Sequence, residues 1–140
     1  MTETIHAGCV AIGGRGILIR GRSGSGKSDL ALRLIDRGAR LVSDDYTILE
    51  ARGDRVRAAA PPTIAGKLEI RGIGIVELAA ESDVPVCLVA YLDAPPERLP
   101  EPKETLLLGT PVPAIAIAAL EASAPLKLEQ ALLRFGLPLP

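Results

Sequence analysis

Short apolar runs alternate with glycine-containing or polar turns along the first part of the chain. Residues 5–12 and 16–20 are mostly apolar, as β-strands are, and a Gly-Gly turn lies between them, so the pattern predicts a β-hairpin. Residues 29–37 instead carry apolar side chains on one face at helical spacing, and Gly38 follows where a helix can end. The chain is therefore expected to begin with two strands and a helix.

The rest of the chain continues this alternation. Residues 84–93 are almost wholly apolar, which is typical of a central strand buried on both faces. Residues 121–135 have the spacing of a C-terminal helix, and residues 137–140 are expected to fray. The order of elements predicts an α/β fold in a single domain, residues 1–140. Further strands are predicted over residues 39–43, 46–50, 55–58, 67–76, 105–108 and 112–118.

Composition and charge narrow the range of functions. Hydrophobic residues make up 48% of the chain, enough for a core, and the net charge is −1 with the two signs interspersed. This balance argues against nucleic acid as a partner. No apolar run approaches the roughly 20 residues of a membrane span, and the polar start is unlike a signal peptide. We therefore expect a cytoplasmic protein without membrane contact, with Cys9 and Cys87 as reduced core residues.

Residues 21–28 read Gly-Arg-Ser-Gly-Ser-Gly-Lys-Ser, which matches the phosphate-binding P-loop pattern. The glycines allow successive N–H groups to point into one concavity, and the following helix adds the positive end of its dipole. Lys27 would reach the β and γ phosphates, and the Ser28 hydroxyl would hold a magnesium ion. The residues expected to bind the nucleotide are Gly21, Ser23, Gly24, Ser25, Gly26, Lys27 and Ser28.

Ionisable residues in three segments outside the P-loop could complete such a site. Asp44 and Asp45 end a predicted strand after the P-loop helix, where a carboxylate can reach a metal or an attacking nucleophile. Adjacent residues of a regular strand point to opposite faces, so the pattern leaves open which one faces the phosphates. Glu69 and Arg71 would share one strand face, either as an exposed ion pair or as charges facing the nucleotide. His6, the only histidine, fits a half-buried strand position.

Three separated blocks together resemble the catalytic domain of the HPr kinase/phosphorylase family. They are His6, the P-loop continuing into Arg-Gly-Ala-Arg-Leu-Val-Ser-Asp-Asp at 37–45, and Leu-Glu-Ile-Arg-Gly-Ile-Gly-Ile at 68–75. The resemblance implies a P-loop fold related to phosphoenolpyruvate carboxykinase, with a mixed β-sheet, the P-loop helix and a C-terminal helix. It also implies ATP- and Mg²⁺-dependent phosphorylation of a serine on an HPr-like phosphocarrier protein. Removal of that phosphate would use inorganic phosphate.

The resemblance also implies a role for each matching residue. Lys27 would bind phosphate, and Asp45 would take the serine proton and return it in the reverse reaction. His6 would lie close to the transferred phosphate. The catalytic candidates are Asp45, His6 and Lys27, and the candidate metal ligands are Ser28, Glu69 and Asp44.

Two departures from the family pattern matter. Longer members carry a separate N-terminal domain, so the chain resembles a short form. They also carry a late arginine-containing segment, and its expected counterpart here, residues 109–115, has no basic residue. This difference bears on the phosphorylase reaction and on HPr docking. Because family members form hexamers, a homo-oligomer is expected.

Two other functions stay open at this point. A P-loop kinase of a small molecule would not need the block at 69–74, and a non-catalytic nucleotide-binding regulatory module would not need the late arginine. A GTPase is disfavoured, because the chain has no asparagine for the guanine-binding Asn-Lys-x-Asp motif and no Asp-x-x-Gly switch.

Overall fold

The computed structural model describes all 140 residues and contains eleven strands and two α-helices. Neither helix has the length and hydrophobicity needed to span a lipid bilayer. A short 3-10 helix, Pro62–Ile64, lies between the sixth and seventh strands. The other elements are β1 Thr2–His6, β2 Gly8–Ile12, β3 Arg15–Arg20, α1 Lys27–Asp36, β4 Arg40–Ser43, β5 Tyr46–Arg52, β6 Arg55–Ala59, β7 Lys67–Ile70, β8 Gly74–Glu77, β9 Val84–Tyr91, β10 Lys103–Leu107, β11 Thr110–Ala116 and α2 Ala124–Phe135.

Nine strands form one curled, mixed sheet, and β7 and β8 form a separate hairpin. The order through the larger sheet is β1-β5-β6-β9-β3-β2-β4. β6 pairs with the start of β9, and β11 pairs with its end, carrying β10 on its outer side. β3 and β9 are parallel neighbours at the centre of the sheet, with other strands on both sides.

Alternating side chains along β3 divide the core in two. Ile17 and Ile19 face the helices, where they pack with Leu30 of α1 and Leu128 of α2. Leu18 points the other way, into a second cluster built with residues of β2, β5, β6 and β9. Burying each such side chain contributes about 1.5–3 kcal/mol. Because both faces are covered, β3 and β9 are a rigid base for whatever follows their ends.

Four strands end at one edge of the sheet. β11 is parallel to β9, and β9 is parallel to β3. β4 also runs with β3, because both are antiparallel to β2. Along this edge, called the carboxyl edge below, the strand ends follow in the order β4, β3, β9, β11. Ligands of open α/β sheets bind at such an edge.

Most predicted elements are confirmed, and two predicted strands are wrong. The β2–β3 hairpin, the P-loop helix, the buried β9 and the C-terminal helix all form. The run 5–12 is not one strand, because it divides at Ala7 into β1, which pairs with β5, and β2. The run 67–76 is not one strand either, because Gly72 and Gly74 adopt φ values of 87° and 122° and turn the chain back.

The C-terminal tail is fastened to the opposite edge of the sheet, called the amino edge below. The Leu137 N–H donates to the Cys87 carbonyl at 2.9 Å, and the Leu137 carbonyl accepts from Arg15 Nη2 at 2.7 Å. Arg55 donates to the carbonyl of Pro138. The prediction of a frayed tail is therefore wrong for Leu137 and Pro138.

Cys9 and Cys87 are both buried, as predicted, and their thiols are free. Burial raises the pKa of the Cys9 thiol, so this group stays protonated and unreactive at neutral pH.

Candidate active site

The P-loop is the turn between β3 and α1. Gly26, the residue before the helix, has a φ of 99°, a left-handed conformation that glycine adopts without strain. The N–H groups of Lys27, Ser28 and Asp29 lie in the first turn of α1, where no intrahelical partner is available. No side chain caps the helix either, so these groups are free to bind a ligand. Together with the positive end of the helix dipole, they make an anion-binding site at the carboxyl edge.

The Lys27 side chain is folded against the loop and is only 7% exposed. Its Nζ donates to the carbonyls of Gly21 at 2.8 Å and Arg22 at 3.1 Å. These two bonds stabilise a buried ammonium. Because an ammonium has three donors, one N–H remains for a phosphate oxygen.

Gly21 and Ser25 form the floor of the loop. A Cβ on Gly21 would lie 2.4 Å from Ser25 Oγ, so even alanine at position 21 would displace the serine. The Ser25 N–H donates to the Arg22 carbonyl at 3.1 Å, which closes the turn. Both residues therefore shape the loop from beneath.

Asp44 connects the end of β4 to the P-loop and to the β7–β8 hairpin. Its Oδ1 accepts from Ser28 Oγ at 2.6 Å, and its Oδ2 accepts from the Glu69 N–H at 3.0 Å. Asp44 is only 9% exposed, and these donors compensate for the lost hydration of its carboxylate. The result is a carboxylate beside the hydroxyl that a P-loop offers to a metal ion.

Asp45 departs from the strand alternation. It has a φ of 67°, an uncommon conformation that aspartate tolerates better than most residues. As a consequence Asp44 and Asp45 both line the same pocket, instead of pointing to opposite faces of the sheet. The Asp45 carboxylate is 55% exposed, and its Oδ1 accepts from His6 Nε2 at 2.8 Å.

His6 contacts the site indirectly, through its hydrogen bond to Asp45. It ends β1 and pairs in register with Tyr46 of β5, with 5.3 Å between the two ring centroids. The imidazole does not line the pocket itself. His6 is therefore a hydrogen-bonding partner of the Asp45 carboxylate.

The β7–β8 hairpin supplies the remaining charged wall. Glu69 lies in β7 and Arg71 lies in the turn after it, and both line the pocket. Arg71 is the only arginine in this lining, and Lys27 is the only lysine. The pocket lining thus has two cationic groups and four carboxylates, those of Asp29, Asp44, Asp45 and Glu69.

The pocket enclosed by these elements has a volume of about 510 Å³. His6, Gly21 and Ser25 lie outside its lining, in the positions described above. Leu120 lines it as well, and no local sequence signal could have indicated this, because Leu120 reaches the P-loop only through the packing of a distant loop. The predicted residues that the pocket brings together are Ser23, Gly24, Gly26, Lys27, Ser28, Asp44, Asp45 and Glu69.

The late segment that reaches the P-loop is not the expected one. Residues 109–115 lie in β11 and the turn before it, and none of them lines the pocket. The loop at 118–121 lies there instead, fixed by Arg33, which donates to the carbonyls of Ala119 and, at 3.0 Å, Glu121. This loop presents Leu120, which is 86% exposed, and has no basic residue.

The donor set fits a magnesium ion that is shared with phosphate oxygens. Nowhere in the chain do three or more His, Cys, Asp or Glu side chains form a cluster that could hold a metal ion. Mg²⁺ at nucleotide sites needs only one or two protein ligands, with water and phosphate oxygens completing its octahedron. The Ser28 hydroxyl and the Asp44 carboxylate meet this requirement, and Glu69 lies on the same wall.

A glycine-rich loop at the carboxyl edge of a mixed sheet, faced by an acidic strand end, defines this chain as a P-loop protein. A family model described as HPr Serine kinase C-terminal domain matches residues 1–81. The chain belongs to this family.

Individual relatives agree with the family match. The HPr kinase/phosphorylase of Lacticaseibacillus casei strain BL23 is 36% identical over 129 residues, which covers 82% of this chain and 40% of that protein. The HPr kinase/phosphorylase of Brevibacillus brevis is 47% identical over 78 residues, or 55% of this chain and 25% of that protein. The chain thus spans well under half the length of these relatives.

A solved structure supports the fold over nearly the whole chain. The Hpr(Ser) kinase/phosphatase from Coxiella burnetii has a TM-score of 0.82 and 30% sequence identity, and the match covers 94% of each chain. The fold class predicted from the sequence is therefore confirmed.

Proposed function

We propose that residues 1–140 form the catalytic domain of a protein-serine kinase that uses Mg-ATP and phosphorylates an HPr-like phosphocarrier protein. The observation that carries this proposal is the separation of the two neighbouring carboxylates. Asp44 faces the P-loop serine, whereas Asp45 is exposed at the rim of the same pocket and held by His6. In the proposed enzyme, one carboxylate would serve a metal ion and the other an acceptor hydroxyl.

The P-loop groups would bind and neutralise the phosphates. Lys27 and the free N–H groups of α1 hold the β- and γ-phosphate oxygens, and Arg71 adds a second cation to the γ-phosphate side. Ser28, Asp44 and Glu69 are the side chains that would hold Mg²⁺, which supplies charge neutralisation at the phosphates when bound. Phosphoryl transfer depends mainly on such positioning and charge neutralisation.

Asp45 would act as the base. As the serine oxygen bonds to the γ-phosphorus and the bond to the β-γ bridging oxygen breaks, the Asp45 carboxylate takes the hydroxyl proton. The His6 N–H bond to Oδ1 fixes the carboxylate and leaves Oδ2 for the acceptor. In the reverse direction, an oxygen of inorganic phosphate in the P-loop would bond to the phosphorus of phosphoserine as the serine O–P bond breaks, which gives pyrophosphate. Protonated Asp45 would return the proton to the leaving serine oxygen.

The rim of the pocket favours a protein acceptor over a small molecule. Asp45 is exposed, and Tyr46, which follows it in the chain, is 49% exposed. In the β7–β8 hairpin, whose Glu69 and Arg71 line the pocket, Ile73 and Ile75 are 76% and 68% exposed. A site for a small molecule would enclose its acceptor. An open rim with exposed apolar side chains instead suits a docked protein surface.

The test is to incubate the purified chain with Mg-ATP and the HPr-like protein of the same organism, and to locate phosphate by mass spectrometry. We expect one phosphoserine, and no label with Lys27→Met. Label on members of a metabolite panel but not on the carrier would favour the small-molecule kinase. Addition of inorganic phosphate to the phosphorylated carrier, followed by a pyrophosphate assay, tests the reverse reaction.

A non-catalytic regulatory module is the second candidate. The loop at 118–121 lacks the arginine expected late in the family, which favours this alternative. ATP binding at micromolar concentration without transfer to any carrier would support it over the kinase.

A further inference from the structure

The two flanks of the P-loop differ in what they offer a nucleotide. Along the carboxyl edge, β4 and its carboxylates Asp44 and Asp45 lie on one side of the P-loop, and the ends of β9 and β11 lie on the other. The metal and the acceptor must face the terminal phosphate. The terminal phosphate therefore points toward β4, and the rest of the nucleotide extends toward β9 and β11.

A second cavity, of about 870 Å³, lies on the β9 and β11 side. Its lining comes mainly from the proline-rich connection after β9 together with the start of β10, residues 94–105, and from the end of β11 and the residues after it, 114–118. We call this cavity the lateral groove. Its volume is within the range of roughly 300–1,000 Å³ typical of small-molecule sites.

Hydrogen bonds from the backbone join the mouth of the lateral groove to the P-loop. The Leu92 N–H donates to the Arg20 carbonyl at 2.8 Å, and the Asp93 carboxylate accepts from the Arg22 N–H at 2.8 Å. On the other wall, the Ile117 N–H donates to the Tyr91 carbonyl at 3.0 Å. The two cavities are therefore held in a fixed relation along one edge.

The lateral groove is lined by apolar side chains and by charged ones, among them Arg98, Glu101 and Glu104. Apolar side chains of Ala94, Pro95, Ile115 and Ile117 contribute to its walls. The lysines in its lining are already engaged, since Lys103 Nζ lies 2.5 Å from a Glu97 oxygen and Lys127 Nζ lies 3.2 Å from a Glu121 oxygen. A nucleobase would be held by shape and apolar contact.

We propose that the lateral groove binds the nucleoside of the nucleotide whose phosphates occupy the P-loop. The proposal rests on the proposed function only in taking the ligand to be a nucleoside triphosphate. It assigns a site to residues 94–105, a segment that contains none of the expected active-site residues.

Calorimetry with Mg-ATP and with magnesium tripolyphosphate separates the two cavities. The wild-type chain should bind Mg-ATP more tightly, because only ATP carries a nucleoside. Ala94→Trp, at an exposed position in the groove lining, should weaken Mg-ATP binding about tenfold and leave tripolyphosphate binding unchanged, which also shows that the variant is folded. Ala79→Trp, at an exposed position in neither cavity, is the matched control and should bind both as wild type does.

Equal affinity of the wild-type chain for the two ligands would overturn the groove assignment while leaving the P-loop site intact. So would unchanged Mg-ATP binding in Ala94→Trp. Photo-crosslinking with 8-azido-ATP gives an independent result: label within 94–105 or 114–118 supports the assignment, and label confined to the β7–β8 hairpin contradicts it. Failure to bind either ligand would overturn both the groove and the proposed kinase, whereas groove-dependent ATP binding without transfer would overturn only the kinase.

Discussion

The two edges of the central sheet use charged side chains in opposite ways. At the amino edge, Arg15 donates to the carbonyls of Leu132 and Leu137, so its hydrogen-bonding capacity goes to holding the tail. At the carboxyl edge, Asp45 makes a single side-chain bond and is otherwise exposed to solvent. Arg15 thus stabilises the fold through backbone carbonyls, whereas charged groups that keep free hydrogen-bonding capacity, such as Asp45 and the third N–H of Lys27, can bind and react.

The strongest test of this comparison is Asp45→Asn. Asparagine keeps the size of the side chain and also tolerates the left-handed backbone at this position, so folding should be unaffected. Loss of the base should lower the rate of phosphoryl transfer about 10²–10⁴-fold. Mg-ATP affinity, measured by calorimetry, should stay at the wild-type value. Transfer at the wild-type rate would remove Asp45 from the role of base.

Asp44→Asn tests the neighbouring carboxylate, for which we expect a change in Mg²⁺ binding. The variant loses the charge beside Ser28 and should weaken Mg²⁺ binding about 10- to 100-fold, by analogy with substitutions around metal sites. Titration of Mg²⁺ at fixed ATP, followed by calorimetry, measures this effect. The two variants form a matched pair, because each removes one charge from adjacent positions. If both changed Mg²⁺ affinity equally, the division of roles between the two carboxylates would be wrong.

Arg15→Ala tests the amino edge. The substitution leaves the Leu137 carbonyl without its donor, whereas the Leu132 carbonyl keeps the Gly136 N–H, and it should lower the free energy of unfolding by about 2 kcal/mol. Urea denaturation followed by circular dichroism measures the loss. Phosphoryl transfer per folded molecule should not change. A fall in that rate would show that the two edges are coupled.

The sequence predicted the P-loop and much of its surroundings, because both rest on local signals. An apolar run predicts the strand, glycines predict the turn, and helical spacing predicts the helix that follows. Asp44 and Asp45 mark the end of the next strand. The left-handed turn at Asp45 could not be predicted, since no residue pattern requires it. The β7–β8 turn was not predicted, although the apolar alternation shifts by one position between Ile70 and Ile73, where Gly72 also marks a turn.

Contacts between distant segments were beyond sequence reasoning for a different reason. Arg15 and Arg33 bond to backbone carbonyls, and a carbonyl carries no sequence identity that could signal its partner. The fastening of the tail and the position of Leu120 over the P-loop both depend on such bonds. Patterns of side chains thus predict elements, whereas polar contacts to the backbone fix where the loops between elements lie.

The smallest expected effect concerns Asp83, at the amino edge just before β9. Arg57 Nε lies 2.9 Å from its carboxylate, and Arg52 bonds to the same oxygen. These arginines, Arg52 first, lower the pKa of Asp83 below its usual 3.8. Asp83→Asn should cost less than about 1 kcal/mol at neutral pH, because the carboxylate is half exposed and screened by solvent.

The pH dependence separates charge from packing at this position. A carboxyl with a lowered pKa in the folded state contributes stability above its unfolded pKa, and that contribution is lost as the pH falls below 3.8 toward the folded value. The difference in unfolding free energy between wild type and Asp83→Asn should therefore shrink on acidification. Because asparagine accepts the left-handed backbone of Asp83, φ 58°, a difference that stayed constant with pH would assign the effect to hydrogen-bond geometry and not to charge. That outcome would group Asp83 with the pH-independent contacts of Arg15, whereas a shrinking difference would show that its contact depends on charge.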